Sequence, residues 1–186
     1  MVMEQDIIIV IDVEATCWKS APPKGQTNEI IEIGICLVDM EKIRRIDESK
    51  RSIIVKPERS YITEYCAHLT GLTQEQVERG ILLKDACEIL KNEYLAKKRT
   101  WASWGDYDRH QFERECKLKG IEFPFSSNHI NVKREFARAM GLPKEVSIAK
   151  AMRIIKHPFE GRQHRGADDA YNIAFILAKL IAEKKI

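Results

Sequence analysis

Five consecutive β-branched residues, Ile7 to Ile11, run directly into the pattern Asp12-Val13-Glu14. A run this short and this rich in isoleucine and valine reads as a strand buried on both faces rather than as a helix. Side chains two apart on a strand share a face, so Asp12 and Glu14 stand side by side. Two adjacent carboxylates repel, and burying them unpaired is unfavourable. A divalent cation relieves that repulsion, and magnesium or manganese takes carboxylate and water oxygens. A solvent-exposed pair at a strand end satisfies the same spacing.

Further along, residues 29–39 read as a second strand and residues 51–57 as a third, closed by Pro57. Residues 41–50 between them are a turn or an extension of a strand, and residues 19–28, with two prolines and Gly25, read as a surface loop. Residues 70–80 carry a capping-box signature, Thr73 three before Gln76. Helical patterns follow over 83–96, 108–119 (stopped by Gly120), 132–140 (stopped by Gly141), 147–155 and 168–182, with a short strand at 100–104. Strands first, then strands alternating with helices, predict an α/β chain with a mixed sheet and helices packed on it. Its 186 residues suffice for one domain.

Two more acidic sites stand out. Asp106 and Asp108 lie at a strand-to-helix junction, where one of them serves the helix dipole; His110 is a nearby alternative partner. Asp168 and Asp169 open the last helix, five residues or fewer after His164 on a glycine-flanked loop, with Arg162 and Arg165 placed to meet phosphates. Each site alone has a bland reading as a helix cap. Two-metal phosphodiester hydrolysis, however, needs several carboxylates and a base to activate water, and a histidine suits the base.

Net charge of +3 is compatible with a polyanionic partner. Five scattered cysteines without a C-x-x-C pair argue against a disulfide framework or structural zinc, and point to a reducing cytoplasm. The N-terminal apolar run is too short for a secretory signal, and no segment is long enough to span a bilayer.

Several blocks in order carry a wider resemblance: DVEATCW at 12–18, YCAHLTGLTQEQV at 65–77, SWGDYD at 103–108, INVKREFA at 130–137 and GRQHRGADDAYNIA at 161–174. Together they resemble the DEDDh branch of the DnaQ-like 3′→5′ exonucleases, in particular the Eri-like subgroup that includes the histone-mRNA 3′-end exonuclease and short bacterial members of the KapD type. The resemblance implies an RNase H-like fold, a mixed five-stranded sheet flanked by helices, over a single exonuclease domain spanning 1–186. It implies two divalent ions, Mg2+ or Mn2+. Asp12, Glu14 and Asp169 would hold one ion, Asp12 would also touch the second, and Asp108 rather than Asp106 would supply the third acid. His164 would be the general base. Ala15, Thr16, Leu69, Thr70 and Tyr107 would meet the terminal nucleotide. The implied partners are a single-stranded RNA or DNA 3′ end, RNA favoured, and the nucleoside 5′-monophosphate product. The additional nucleic-acid-binding domain of larger Eri-like proteins has no counterpart here. A regulatory protein-binding module on the same fold, and a DNA-directed repair exonuclease, are the alternatives.

Overall fold

The structure, a computed structural model, describes residues 7–186; the first six residues, included in the domain by the sequence reading, lie outside that range. Strand β1 (Ile7–Ala15) occupies the centre of a five-stranded sheet of order β3-β2-β1-β4-β5. Antiparallel partners β2 (Ile30–Asp39) and β3 (Arg44–Ile54) lie on one side. On the other side β4 (Trp101–Ser103) and β5 (His129–Asn131) run parallel to β1.

The isoleucine run explains this central position, because both faces of β1 are covered. Ile9, Ile11 and Val13 pack with Leu83, Leu90, Trp101 and Phe112 beneath α3 (Leu83–Asn92) and α4 (Tyr107–Lys119). Ile8 and Val10 pack with Cys36, Val38, Phe136, Ile173 and Leu177 beneath α5 (Val132–Ala139) and α7 (Gly166–Ala182). Burial of each such isoleucine contributes roughly 1.5–3 kcal/mol. The even-numbered face continues past Val10 to Asp12 and Glu14, so the core that anchors β1 also fixes where its carboxylates point.

Three small helices complete the layers: α1 (Glu64–Thr70), α2 (Gln74–Glu78) and α6 (Ile148–Ile154). The expected capping box is present, with Thr73 and Gln76 bonding reciprocally. Residues 19–28 form the expected loop.

Several boundaries differ from the sequence reading. The third strand spans Arg44–Ile54, not 51–57; it is the edge strand, so most of its side chains face water and its pattern is polar. Thr70 closes α1 rather than opening a helix, and β5 is three residues long, too short for periodicity to register. The last helix starts at Gly166, which places Asp168 and Asp169 in its first turn. No helix among the described residues is long and apolar enough to cross a membrane.

One contact brings α7 to the sheet. A Cβ on Gly34 would lie 1.9 Å from the carbonyl of Gly166, and a Cβ on Gly166 would lie 3.0 Å from the Asp12 carbonyl oxygen. Gly34 is the register partner of Asp12. Two absent side chains therefore allow the start of α7 to rest on the strand that carries Asp12. Gly34→Ala is expected to destabilise the fold by about 1–3 kcal/mol through overpacking and to lower activity, read as a drop in Tm by circular dichroism; an unchanged Tm would contradict this role.

Candidate active site

Parallel strands β1, β4 and β5 all end at the same edge of the sheet, and loops following such ends form the usual binding crevice of α/β folds. A cleft of about 380 Å³ opens there. Asp12 and Glu14 reach it from β1, Asp108 from the first turn of α4, Asp169 from the first turn of α7, and His164 and Gln163 from the preceding loop. Val13, Trp104, Tyr107, Lys133, Ser147, Ile148 and Ala149 form the remainder of its wall.

Backbone donors hold two of the four acids in place. The Val13 N–H donates to Asp108 Oδ1 at 2.8 Å, and the His164 N–H donates to Asp169 Oδ2 at 2.9 Å. The second bond curls the loop so that ligand atoms of Glu14, His164 and Asp169 lie within 4.8 Å of one another. His164 adopts φ 60°, a left-handed conformation that non-glycine residues rarely take and that is concentrated at functional sites.

The structure places the neighbouring aspartates differently. Asp106 accepts a hydrogen bond from Asn131 Nδ2 at 2.9 Å and pairs with Arg109, outside the cleft. Asp168 accepts the Arg162 N–H at 2.8 Å and pairs with Lys50, pinning the loop that carries His164. The two arginines expected to meet phosphates are engaged within the protein: Arg162 donates to the His68 carbonyl at 2.9 Å, and Arg165 pairs with Glu32 at 3.2 Å. His110 is exposed on α4, away from the cleft lining.

Of the expected nucleotide contacts, Tyr107 lines the cleft and is exposed. The other four are not on its wall. Ala15 is buried at the end of β1, and Leu69 is half-buried on α1. Thr16 and Thr70 are fully buried, with hydroxyls bonded to Thr27 and Glu29, and to Cys66 and Leu72. Sequence reasoning missed Glu32, Trp104, Lys133 and Gln163. Glu32 had a visible signal, an acid inside an otherwise apolar strand. It is buried opposite Glu14 and accepts from Ser52 Oγ at 2.6 Å and from the Gly166 N–H at 3.1 Å.

A profile of the RNase_T exonuclease family matches residues 9–177. The chain belongs to this family. The 3′-5′ exonuclease Snipper of Drosophila melanogaster is 31% identical to this exonuclease over 95% of the chain and 69% of its own length. Human 3′-5′ exoribonuclease 1 is 28% identical over 96% of the chain, which spans only 53% of that relative. Among solved structures, the nuclease domain of 3′hExo, a DEDDh family member bound to rAMP, superposes with a TM-score of 0.82 at 27% identity, covering 96% of this chain and 93% of that one. The exonuclease is thus a 3′→5′ phosphodiester hydrolase on the RNase H-like fold.

Electrostatics of its cleft match a cation site. Withdrawal from water, followed by repulsion from Asp108 and Asp169, holds the Asp12 carboxyl well above the usual range. Glu14 is pushed up to about 8 by desolvation and then by Asp169 and Glu32. Asp169 rises to about 7 and Asp108 to about 6, each chiefly by burial, with the backbone donors at His164 and Val13 opposing. Four oxygen donors that disfavour one another's charge, beside one imidazole, suit a hard divalent cation. Without metal the folded chain binds the Glu14 proton more tightly than the unfolded chain does. The stability associated with that proton is present at low pH and is lost as pH rises through about 8. Glu14→Gln is accordingly expected to raise the Tm of the metal-free protein, by an increment that grows between about pH 5 and pH 8, and to blunt the Tm increase on adding Mg2+. A constant or shrinking increment in thermal melts with chelator would contradict the assignment.

Proposed function

We propose that this chain removes nucleotides one at a time from single-stranded RNA 3′ ends and releases nucleoside 5′-monophosphates. Asp12, Glu14, Asp108 and Asp169 hold two divalent ions, Mg2+ or Mn2+, and His164 is the general base. The observation that carries this reading is the convergence of those five residues, drawn from four separate segments, on one cleft.

Divalent ions held by the four acids supply Lewis-acid stabilisation of the charge that develops on the phosphodiester. The chain itself supplies position and proton transfer. His164 faces the acids from an anchored loop, close enough to take a proton from an attacking water. Tyr107 offers an exposed aromatic face for stacking on an unpaired base. Thr16 and Thr70 act as buried struts for the segment beside Ala15. RNA is favoured over DNA on the strength of the relatives, one an exoribonuclease and one holding rAMP. Five free cysteines fit a reducing cytoplasm.

Matched RNA and DNA oligomers labelled at the 5′ end, incubated with each metal, test polarity and sugar preference together. The expected product is a ladder shrinking from the 3′ end, faster for RNA. Asp12→Ala or Asp169→Ala should abolish release of 5′-monophosphates, and retained activity in either variant sinks the assignment. For His164→Ala, kcat should fall by roughly 10²–10⁴-fold with oligomer affinity nearly intact; an equal loss of affinity would remove His164 from the base role.

A further inference from the structure

An acidic cleft must still accept a polyanion, and the sequence offers Arg162 and Arg165 for that purpose. Both are engaged elsewhere, on the His68 carbonyl and on Glu32. Among the described residues that line the cleft, Lys133 is the one lysine or arginine. It stands in the first turn of α5, immediately after β5, so its backbone is fixed by the parallel pairing of β4 with β5. Its ammonium lies 3.6 Å from Glu145 Oε2, beyond good hydrogen-bonding distance, and both side chains are partly exposed. None of the four cleft carboxylates pairs with it among the described residues. Glu145 itself sits on a held segment, because the Trp104 indole N–H donates to the neighbouring Val146 carbonyl at 3.0 Å.

We propose that Lys133 binds the phosphodiester adjacent to the scissile one, with Glu145 standing in for that phosphate when the cleft is empty. This rests on the exonuclease reading. At a 3′ end the scissile phosphate is the last in the chain, so every further phosphate that meets the cleft lies on its 5′ side. A lysine on the cleft wall, facing Glu145 outside the wall and none of the four acids, is placed for the first of these. As a point charge on a flexible stem it reads phosphate and not base, giving contact without sequence preference. Exchange of Glu145 for phosphate keeps the ammonium paired before and after binding, which limits the desolvation lost on entry.

The test compares a short oligoribonucleotide, which has the adjacent phosphate, with the p-nitrophenyl ester of thymidine 5′-monophosphate, which lacks it. Lys133→Ala is expected to lower the oligomer-to-ester ratio of kcat/KM about 5-fold, through KM, and Lys133→Arg to restore most of it. Glu145→Gln should move the ratio the opposite way. Binding of a labelled oligomer in Ca2+, read by fluorescence anisotropy, should lose about 0.7 from the slope of log affinity against log salt in Lys133→Ala. Equal loss on both substrates would overturn the proposal by placing Lys133 on the scissile phosphate. An unchanged ratio with an unchanged salt slope would overturn it outright. Failure of the wild type to cleave either substrate would instead refute the exonuclease reading, and the salt slope in Ca2+ would still decide the role of Lys133.

Discussion

Each carboxylate at the head of the cleft raises the energy of the others. Asp12, Glu14, Asp108 and Asp169 face one cleft, and every one of their acid constants is raised, by burial in all four and by mutual repulsion in Asp12, Glu14 and Asp169. Left to local preference the four would separate. The fold holds them together by attaching each to an element with its own burial. Asp12 and Glu14 extend from a strand whose Ile9, Val10 and Ile11 have no exposed surface, and Asp169 lies on a helix whose Ile173, Ala174 and Leu177 have none either. Apolar burial of this extent, at roughly 1.5–3 kcal/mol per large side chain, outweighs the repulsion. On the proposed reading, bound cations would relieve that repulsion.

Acids around the cleft divide into two roles. Of those facing it, Asp108 and Asp169 accept backbone N–H groups, from Val13 and His164. Others nearby act as fasteners: Asp106 on Asn131, Asp168 on Arg162 and Lys50, and Glu32 on Arg165 and Gly166. Neighbouring acids in sequence therefore perform different work, set by which way each one faces at a helix start. Glu32 shows how close the two roles lie. It is buried opposite Glu14 and raises that residue's pKa, yet its own oxygens are satisfied by Ser52, Arg165 and the Gly166 N–H.

Legibility of these features in the sequence followed the range of the interaction behind them. The β1 run, the Thr73 capping box and the glycine stops at Gly120 and Gly141 are local signals, and the structure contains all of them where expected. Strand β3 was misplaced because an edge strand has no second face to bury, so its residues carry charge instead of alternation. The choice of Asp108 over Asp106 came from family pattern; its physical cause, the Val13 N–H, is 95 residues distant in the chain. Arg162 and Arg165 looked available for phosphate because their protein partners, His68 and Glu32, are likewise remote. Nothing local marks Gly34 as the seat of α7, since the meaning of that glycine exists only once Gly166 is laid across it.

The charge distribution has a consequence for how substrate and metal arrive. A net charge of +3 coexists with a cleft that concentrates four carboxylates. The overall field therefore draws a polyanion toward the molecule while the cleft itself repels it until cations are bound. On the proposed reading, metal loading and substrate entry would be coupled through one Coulomb interaction: cations held by the acids would lower the repulsion that phosphate meets in the cleft, and bound phosphate would favour the cations in turn. Thermodynamic linkage makes the effect reciprocal, so added metal should tighten oligomer binding by the same factor by which oligomer tightens metal. A cleft neutral by sequence would gain no such dependence, and the buried strand that sets Asp12 beside Glu14 is what imposes it.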